Sequence, residues 1–284
     1  MNDLNDYDLQ RTSDEASWTV PRSRPPLGLS IALASLVIAI GIAGYLAWGW
    51  RTRPTTTATS VPTAAAKQPP PALGGNPEPI TLPPLDASDA VVRMLVQALS
   101  ESPAVTAWLT TEDLIRNFTI VVANIADGTT PAKQLKVVRP ASTFSVIERD
   151  GNIYIDPRSY RRYATLANAF ASLDPVATAG LYGTLKPRIE EAHRELGSAD
   201  PSFDRTLERA IRVLLETPIL DGPVRLVPKE KGIGYAFADQ RLEKLTGAQK
   251  QLLRMGPEQV RVVLEQLRRI GSALGIPAEQ LRTF

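Results

Sequence analysis

The chain contains no cysteine and only one histidine, His193, among 284 residues. Without cysteine it can form no disulfide framework, thiol nucleophile, thiolate zinc site or iron–sulfur cluster. One imidazole cannot supply the two or three that most catalytic metal sites use, so no metal and no cofactor is expected. An excess of one charge is also lacking: 32 Lys and Arg stand against 30 Asp and Glu. That balance removes the basic footprint of a nucleic-acid binder. The absence of cysteine suits an oxidising compartment.

One long apolar run is present. Leu27 to Trp50 (LGLSIALASLVIAIGIAGYLAWGW) holds no charged residue, Asn, Gln or Pro. As a helix it spans roughly 36 Å at about 1.5 Å per residue, which crosses a hydrocarbon core of about 30 Å with some tilt. A cleaved signal peptide has a shorter apolar region and a small-residue cleavage site, whereas this run ends in Trp48-Gly49-Trp50-Arg51, so an uncleaved signal anchor is expected. Three basic residues flank it on each side (Arg11, Arg22 and Arg24; Arg51, Arg53 and Lys67), and the positive-inside count is a tie. The expected orientation is a cytoplasmic N-terminus and a periplasmic C-terminal domain, single-pass in the bacterial inner membrane. Ser35, Ala39, Ala43 and Ala47 recur every four residues, a stripe of small side chains along which two such helices could form a weak homodimer.

Residues 1–26 have almost no apolar periodicity and read as a disordered cytoplasmic tail. Residues 51–84 contain nine prolines among Thr, Ala and Gly, which reads as an extended linker. Residues 85–284 are long enough for a sizeable core and form the expected globular domain. The fold class expected there is mainly α with small β-hairpin elements.

Helical spacing supports this. Val91, Met94, Leu95 and Ala98 follow Ser88 as a possible N-cap, and Leu114, Ile115, Phe118, Val121, Val122 and Ile125 make a cleaner stripe. Asp150-Gly151 between two β-prone runs predicts a two-residue hairpin turn, and Val224–Val227 with Ile233–Phe237 predicts a second hairpin. Asp156-Pro157 and Asp174-Pro175 cap two helices, ending near Leu173 and Gly197. Pro187 predicts a kink in the second or its division into two short helices. Leu207, Ala210, Ile211, Leu214 and Leu215 mark another helix. Thr246 to Gln249 reads as a capping box, and Gly256-Pro257 reads as a stop before a last helix lined by Val260, Val263, Leu264, Leu267 and Ile270.

Chemistry is sparse. Glu190 and His193 have the Glu-x-x-His spacing of di-iron bundles, but that motif is used in pairs and a second histidine does not exist; a solvated helix face is the expectation. There is no Gly-x-Ser-x-Gly elbow, and Gly180-Leu-Tyr-Gly183 and Gly232-Ile-Gly234 lack the rest of a phosphate loop. Glu101-Ser102 resembles the Glu-Ser dipeptide of lytic transglycosylases without their downstream glycine-rich segment. Residues 85–284 hold 26 bases and 24 acids, interspersed as on solvated helix faces. Within them Arg158, Arg162, Lys250 and Arg254 could form a concave binding patch if the fold joins the two segments.

Leu82–Asp89, Leu114–Phe118 with Asn124–Gly128, Ser159–Tyr163, Ala171–Asp174, Leu181–Pro187 and Lys250–Gly256 together resemble a proteobacterial family known only as a domain of unknown function, number 3014. The resemblance implies an envelope protein with one N-terminal anchor, a spacer and a single domain, and implies no activity or catalytic residues. The function expected is therefore non-enzymatic: a tethered helical domain that binds a periplasmic protein or the cell wall. The alternative is a peptidoglycan hydrolase using a carboxylate pair.

Overall fold

The computed structural model describes residues 72–229 and 234–282. The apolar run 27–50 and its stripe of Ser35, Ala39, Ala43 and Ala47 lie outside the described residues, as do the tail and Gly232. Among the described residues no helix is long and apolar enough to cross a membrane.

The described residues form nine α-helices and four strands: α1 Asp89–Gln97, α2 Pro103–Trp108, α3 Leu114–Ala126, β1 Val146–Arg149, β2 Asn152–Ile155, α4 Ala164–Ala171, α5 Pro175–Glu195, α6 Phe203–Leu215, β3 Arg225–Pro228, β4 Tyr235–Phe237, α7 Gln240–Glu243, α8 Gly247–Leu253 and α9 Pro257–Leu274. The main core lies where α3 packs on α5 and α6 and α9 crosses α4 and α5. Leu114, Ile115 and Val122 of α3, Leu207, Ile211 and Leu215 of α6, and Val260, Leu264 and Ile270 of α9 are buried there, following the predicted stripes. The stripe of α1 is corrected. Val92 is its buried residue, whereas Met94 is 61% exposed. The helix turns this way because Asp89 points back to cap α3, accepting from the N–H groups of Asp113 and Leu114 at 3.0 and 2.9 Å. Arg93 reaches the carbonyls of Leu109 and Thr111 on the same side. Ser88 precedes α1 as expected, but its hydroxyl donates to the Leu85 carbonyl and caps nothing.

The two predicted hairpins form one antiparallel sheet in the order β1-β2-β3-β4, although α4 to α6 intervene between β2 and β3. Asp150 and Gly151 both take positive φ, the two-residue turn that matches strand twist. Ile153 pairs with Leu226, and Leu226 with Phe237, so these apolar side chains share one face. That face covers a second, smaller core with Ile155, Val224 and Leu253. Helix α8 joins the cores: Leu252 enters the helical one and Leu253 the sheet one. Its capping box is present in full, with Thr246 and Gln249 each bonding the other's backbone.

Two local expectations change. The segment after Asp156 is a 3-10 helix over Pro157–Tyr163 before α4 begins, with Asp156 as its cap. Helix α5 runs unbroken through Pro187 for 21 residues, so the division into two short helices does not occur.

Residues 72–84, at the end of the stretch read as linker, lie along α5 as a strap. Leu73 is buried; its N–H donates to Asp204 at 3.0 Å and its carbonyl accepts from Lys186 at 3.0 Å. Asp204 also binds Lys186 at 2.6 Å and the Tyr182 hydroxyl at 2.5 Å. Gly75 N–H donates to the Ala179 carbonyl, Glu78 N–H to the Thr184 hydroxyl, and Arg188 to the carbonyls of Pro83 and Leu82. Gly180 and Gly183 make the seat. A Cβ on Gly180 would stand 3.0 Å from the Asn76 carbonyl oxygen, and one on Gly183 would stand 3.3 Å from the Pro77 ring. The glycine pair weighed as a phosphate-loop fragment thus serves a close backbone approach.

Candidate functional site: a basic, aromatic-walled cleft

The 3-10 geometry after Asp156 decides which basic side chains meet. Three residues per turn eclipse positions i and i+3, so Tyr160 and Tyr163 fall on one side, whereas Arg158 and Arg162, four apart, do not share a face as they would in an α-helix. Arg158 is accordingly exposed and forks onto its own cap, Asp156, at 3.0 Å. The contact holds the Asp156 carboxyl below the usual carboxylate range. Arg162 turns inward. Its guanidinium lies 4.8 Å from the Tyr163 ring centroid and 5.4 Å from that of Phe144.

The second predicted segment divides likewise. Lys250 is held by Glu243, donating to its carboxylate and its backbone carbonyl, both at 2.9 Å. Arg254, the C-cap of α8, lies over the Phe237 ring at 5.6 Å. The fold therefore brings Arg162 and Arg254 to one cleft and leaves Arg158 and Lys250 in ion pairs outside it. Sequence reasoning missed Lys229, Tyr235 and Gln251, which also line this cleft. Only the pairing of β3 with β2, which no local pattern signals, carries Lys229 there.

The cleft has a volume of about 340 Å³ and opens over the apolar face of the sheet. Among the described residues no Asp or Glu lines it. The Arg254 side chain makes no hydrogen bond or ion pair to any described residue. Its burial, helped by the nearby Arg162, pulls the guanidinium below its ordinary pKa against the lifting effect of Glu243. Glu243 is itself taken by Lys250 and by the Phe237 N–H at 2.9 Å. Arg162 makes only long bonds, at 3.4 Å to the Ser142 carbonyl and 3.3 Å to the Tyr163 hydroxyl, and its buried Nε has no partner. A buried donor left unpaired costs about 1–3 kcal/mol, more when charged, so the Arg162 guanidinium is set for an acceptor from outside the fold.

Tyr163 accepts from both Arg162 and Gln251 at 3.3 Å, which leaves its own O–H to donate. The Gln251 side-chain oxygen accepts from no described group. Among its described residues the cleft thus offers several donors, two fixed cations and the free Gln251 oxygen between aromatic rings, and no nucleophile–base pair.

Other hollows are less equipped. Asp200 and Glu208 share an open cleft with Arg205, Arg209 and Arg212. Burial, with Asp204 adding to it, raises the Glu208 carboxyl. Burial also opposes the Asp200 charge, but the Thr206 hydroxyl and Arg209 outweigh it and keep that carboxyl low. Asp200 is therefore occupied as a structural acceptor. Two apolar hollows of about 230 and 180 Å³ share Trp108, Phe118 and Leu173. The hydroxyls of Thr178 and Tyr182 beside them are already bonded.

His193 is corrected from a solvated position to a core one: it is 2% exposed and meets Phe203 edge-on at 5.6 Å. The charged neighbours suggested solvent, but Glu190 instead accepts from the Phe203 N–H at 3.0 Å and caps α6 from α5. This draws the same helix face into the interior. Glu101 is exposed and Ser102 is the backbone N-cap of α2.

The described residues form a mainly helical domain carrying a small antiparallel sheet, with a basic cleft where sheet and helices meet. Residues 114–271, more than half of the chain, match the model of the family described as "Protein of unknown function (DUF3014)", and the chain belongs to that family. No curated protein and no solved structure matches it. The matched span includes the four strands, Arg162 and Arg254, and excludes the strap.

Proposed function

We propose that this chain is a membrane-anchored, non-enzymatic envelope protein. Residues 27–50 hold it in the inner membrane with residues 1–26 cytoplasmic, and the helical domain is presented on the periplasmic side to a periplasmic protein or the cell wall. The observation that supports binding over catalysis is the cleft of Arg162 and Arg254, which gathers donors and cations with no carboxylate among its described lining residues. The hydrolase alternative needs two available carboxylates about 5 to 9 Å apart, and the fixed ion pair of Asp200 favours the binding reading.

The test incubates the detergent-solubilised chain with purified sacculi. Co-sedimentation without soluble products is the expected result, weakened at least fivefold by Arg162→Gln with Arg254→Gln; release of muropeptides would establish the hydrolase instead. The anchor is checked by a C-terminal alkaline phosphatase fusion, which is expected to be active in cells. An active cytoplasmic reporter at the same place would reverse the orientation.

A further inference from the structure

We infer that the cleft is a site for an acidic sugar: a compact oxyanion, carboxylate or phosphate ester, carried on a hydroxylated ring of about monosaccharide size. This rests on the binding reading above and names the ligand chemistry that reading leaves open.

The guanidinium carbon of Arg162 lies over the rings of Tyr163 and Phe144, and that of Arg254 over the ring of Phe237. The N–H edge of a guanidinium matches the two oxygens of a carboxylate or phosphate. The buried Arg162 Nε lacks an acceptor, and the Arg254 side chain, over the Phe237 ring, has no hydrogen-bonded or ion-paired partner among the described residues. Lys229 adds a third positive charge at the mouth, though Glu243 also feels it. An uncharged ligand would leave these donors without the charge they are arranged to meet.

The rest of the lining describes what bears the anion. Tyr235 and Phe144 stand 6.1 Å apart, tilted, and present ring surface to the cleft. Such surfaces suit the C–H face of a sugar ring. The Tyr163 O–H is a remaining donor and the Gln251 oxygen a remaining acceptor, the complementary pair that vicinal hydroxyls require. A bare inorganic anion would use the arginines and leave this acceptor and the rings unused. At about 340 Å³ the cleft lies at the small end of ligand pockets, sized for a single ring and its substituent.

The experiment is isothermal titration of the full chain in a polyoxyethylene detergent, which carries no sugar headgroup. The probes are glucuronate, glucose 6-phosphate, glucose, inorganic phosphate and a short peptide with a free C-terminal carboxylate. At least one acidic sugar is expected to bind saturably, at least tenfold more tightly than glucose or inorganic phosphate. The tighter of the two identifies whether carboxylate or phosphate ester is the natural group. Arg254→Gln is expected to weaken that binding at least tenfold and Arg158→Gln to leave it unchanged. Gln251→Ala is expected to weaken the acidic sugar while leaving inorganic phosphate unaffected. If Arg254→Gln does not fold, the ratio of acidic sugar to glucose on the unaltered chain decides alone.

Equal binding of glucose and its acids, or no saturable binding of any sugar acid, would overturn the assignment. So would tighter binding of the peptide, which would give the cleft to a protein terminus and leave the proposed function standing. Acidic-sugar binding without co-sedimentation on sacculi or capture of a periplasmic protein would do the reverse.

Discussion

A fragment of residues 85–284 is expected to unfold with a urea midpoint far below that of residues 72–284, the difference corresponding to about 4–6 kcal/mol. Loss of Leu73 from its buried position removes a contribution comparable to a core leucine truncation, about 2–5 kcal/mol. Loss of its backbone N–H and carbonyl also strips Asp204 and Lys186 of partners in a half-buried network, where hydrogen bonds to charged groups are worth about 1.5–3 kcal/mol each. Tyr182 is part of the same network: burial, and then its bond to Asp204, push its hydroxyl well above its ordinary pKa. A typical domain has only about 5–15 kcal/mol of stability, so the shorter fragment is expected to lose much of its cooperative transition near body temperature.

Gly180→Ala in the longer fragment isolates the seat of the strap. Glycine to alanine inside a helix ordinarily stabilises by roughly 0.5–1 kcal/mol. Here the added Cβ presses on the Asn76 carbonyl, and destabilisation is expected instead. Equal midpoints for the two fragments, with Gly180→Ala stabilising in both, would reduce the strap to a passive covering.

The strap also shows which kind of information was readable in the residues. Apolar periodicity located α3, α6 and α9 and their buried faces, because each of these helices satisfies its own pattern within a few turns. The two hairpins were readable for the same reason, since Asp150-Gly151 dictates its turn locally. Residues 72–84 have the composition of a linker and no period, and what seats them is a pair of glycines more than one hundred residues away. The union of the hairpins through Ile153 and Leu226 is equally non-local.

The candidate site was half legible for a more specific reason. Arg158, Arg162, Lys250 and Arg254 form a patch only if the fold joins their two segments, and it joins one residue from each. The 3-10 segment rotates Arg158 away from Arg162, and Lys250 is drawn onto Glu243 while Arg254 lies over Phe237. His193 was misplaced because charge density along the chain does not reveal that Glu190 is spent on the cap of α6.

Gly256→Ala is the single substitution expected to do the most damage, about 3–5 kcal/mol. Gly256 has φ of 88° and ψ of 161°, a region essentially restricted to glycine, and holding alanine there costs about 1–3 kcal/mol. A Cβ at this position would also lie 2.7 Å from both the Cβ and the Cδ1 of Tyr160, closer than any real contact. Forcing such an overlap costs typically about 1–3 kcal/mol more. Tyr160 cannot retreat freely: it packs in the sheet core, where burial raises its hydroxyl pKa, and it belongs to the 3-10 turn that carries Arg162 and Tyr163.

The variant is therefore expected to lower the melting temperature and to loosen the cleft together. A double-mutant cycle separates the two costs. Adding Tyr160→Ala relieves the overlap and leaves the backbone strain, so the pair is expected to be about 1–3 kcal/mol less destabilised than the sum of the single changes. Strict additivity, or an unchanged transition in Gly256→Ala alone, would show that the chain bends at this junction and that the contact with Tyr160 does not hold α8 and α9 in place.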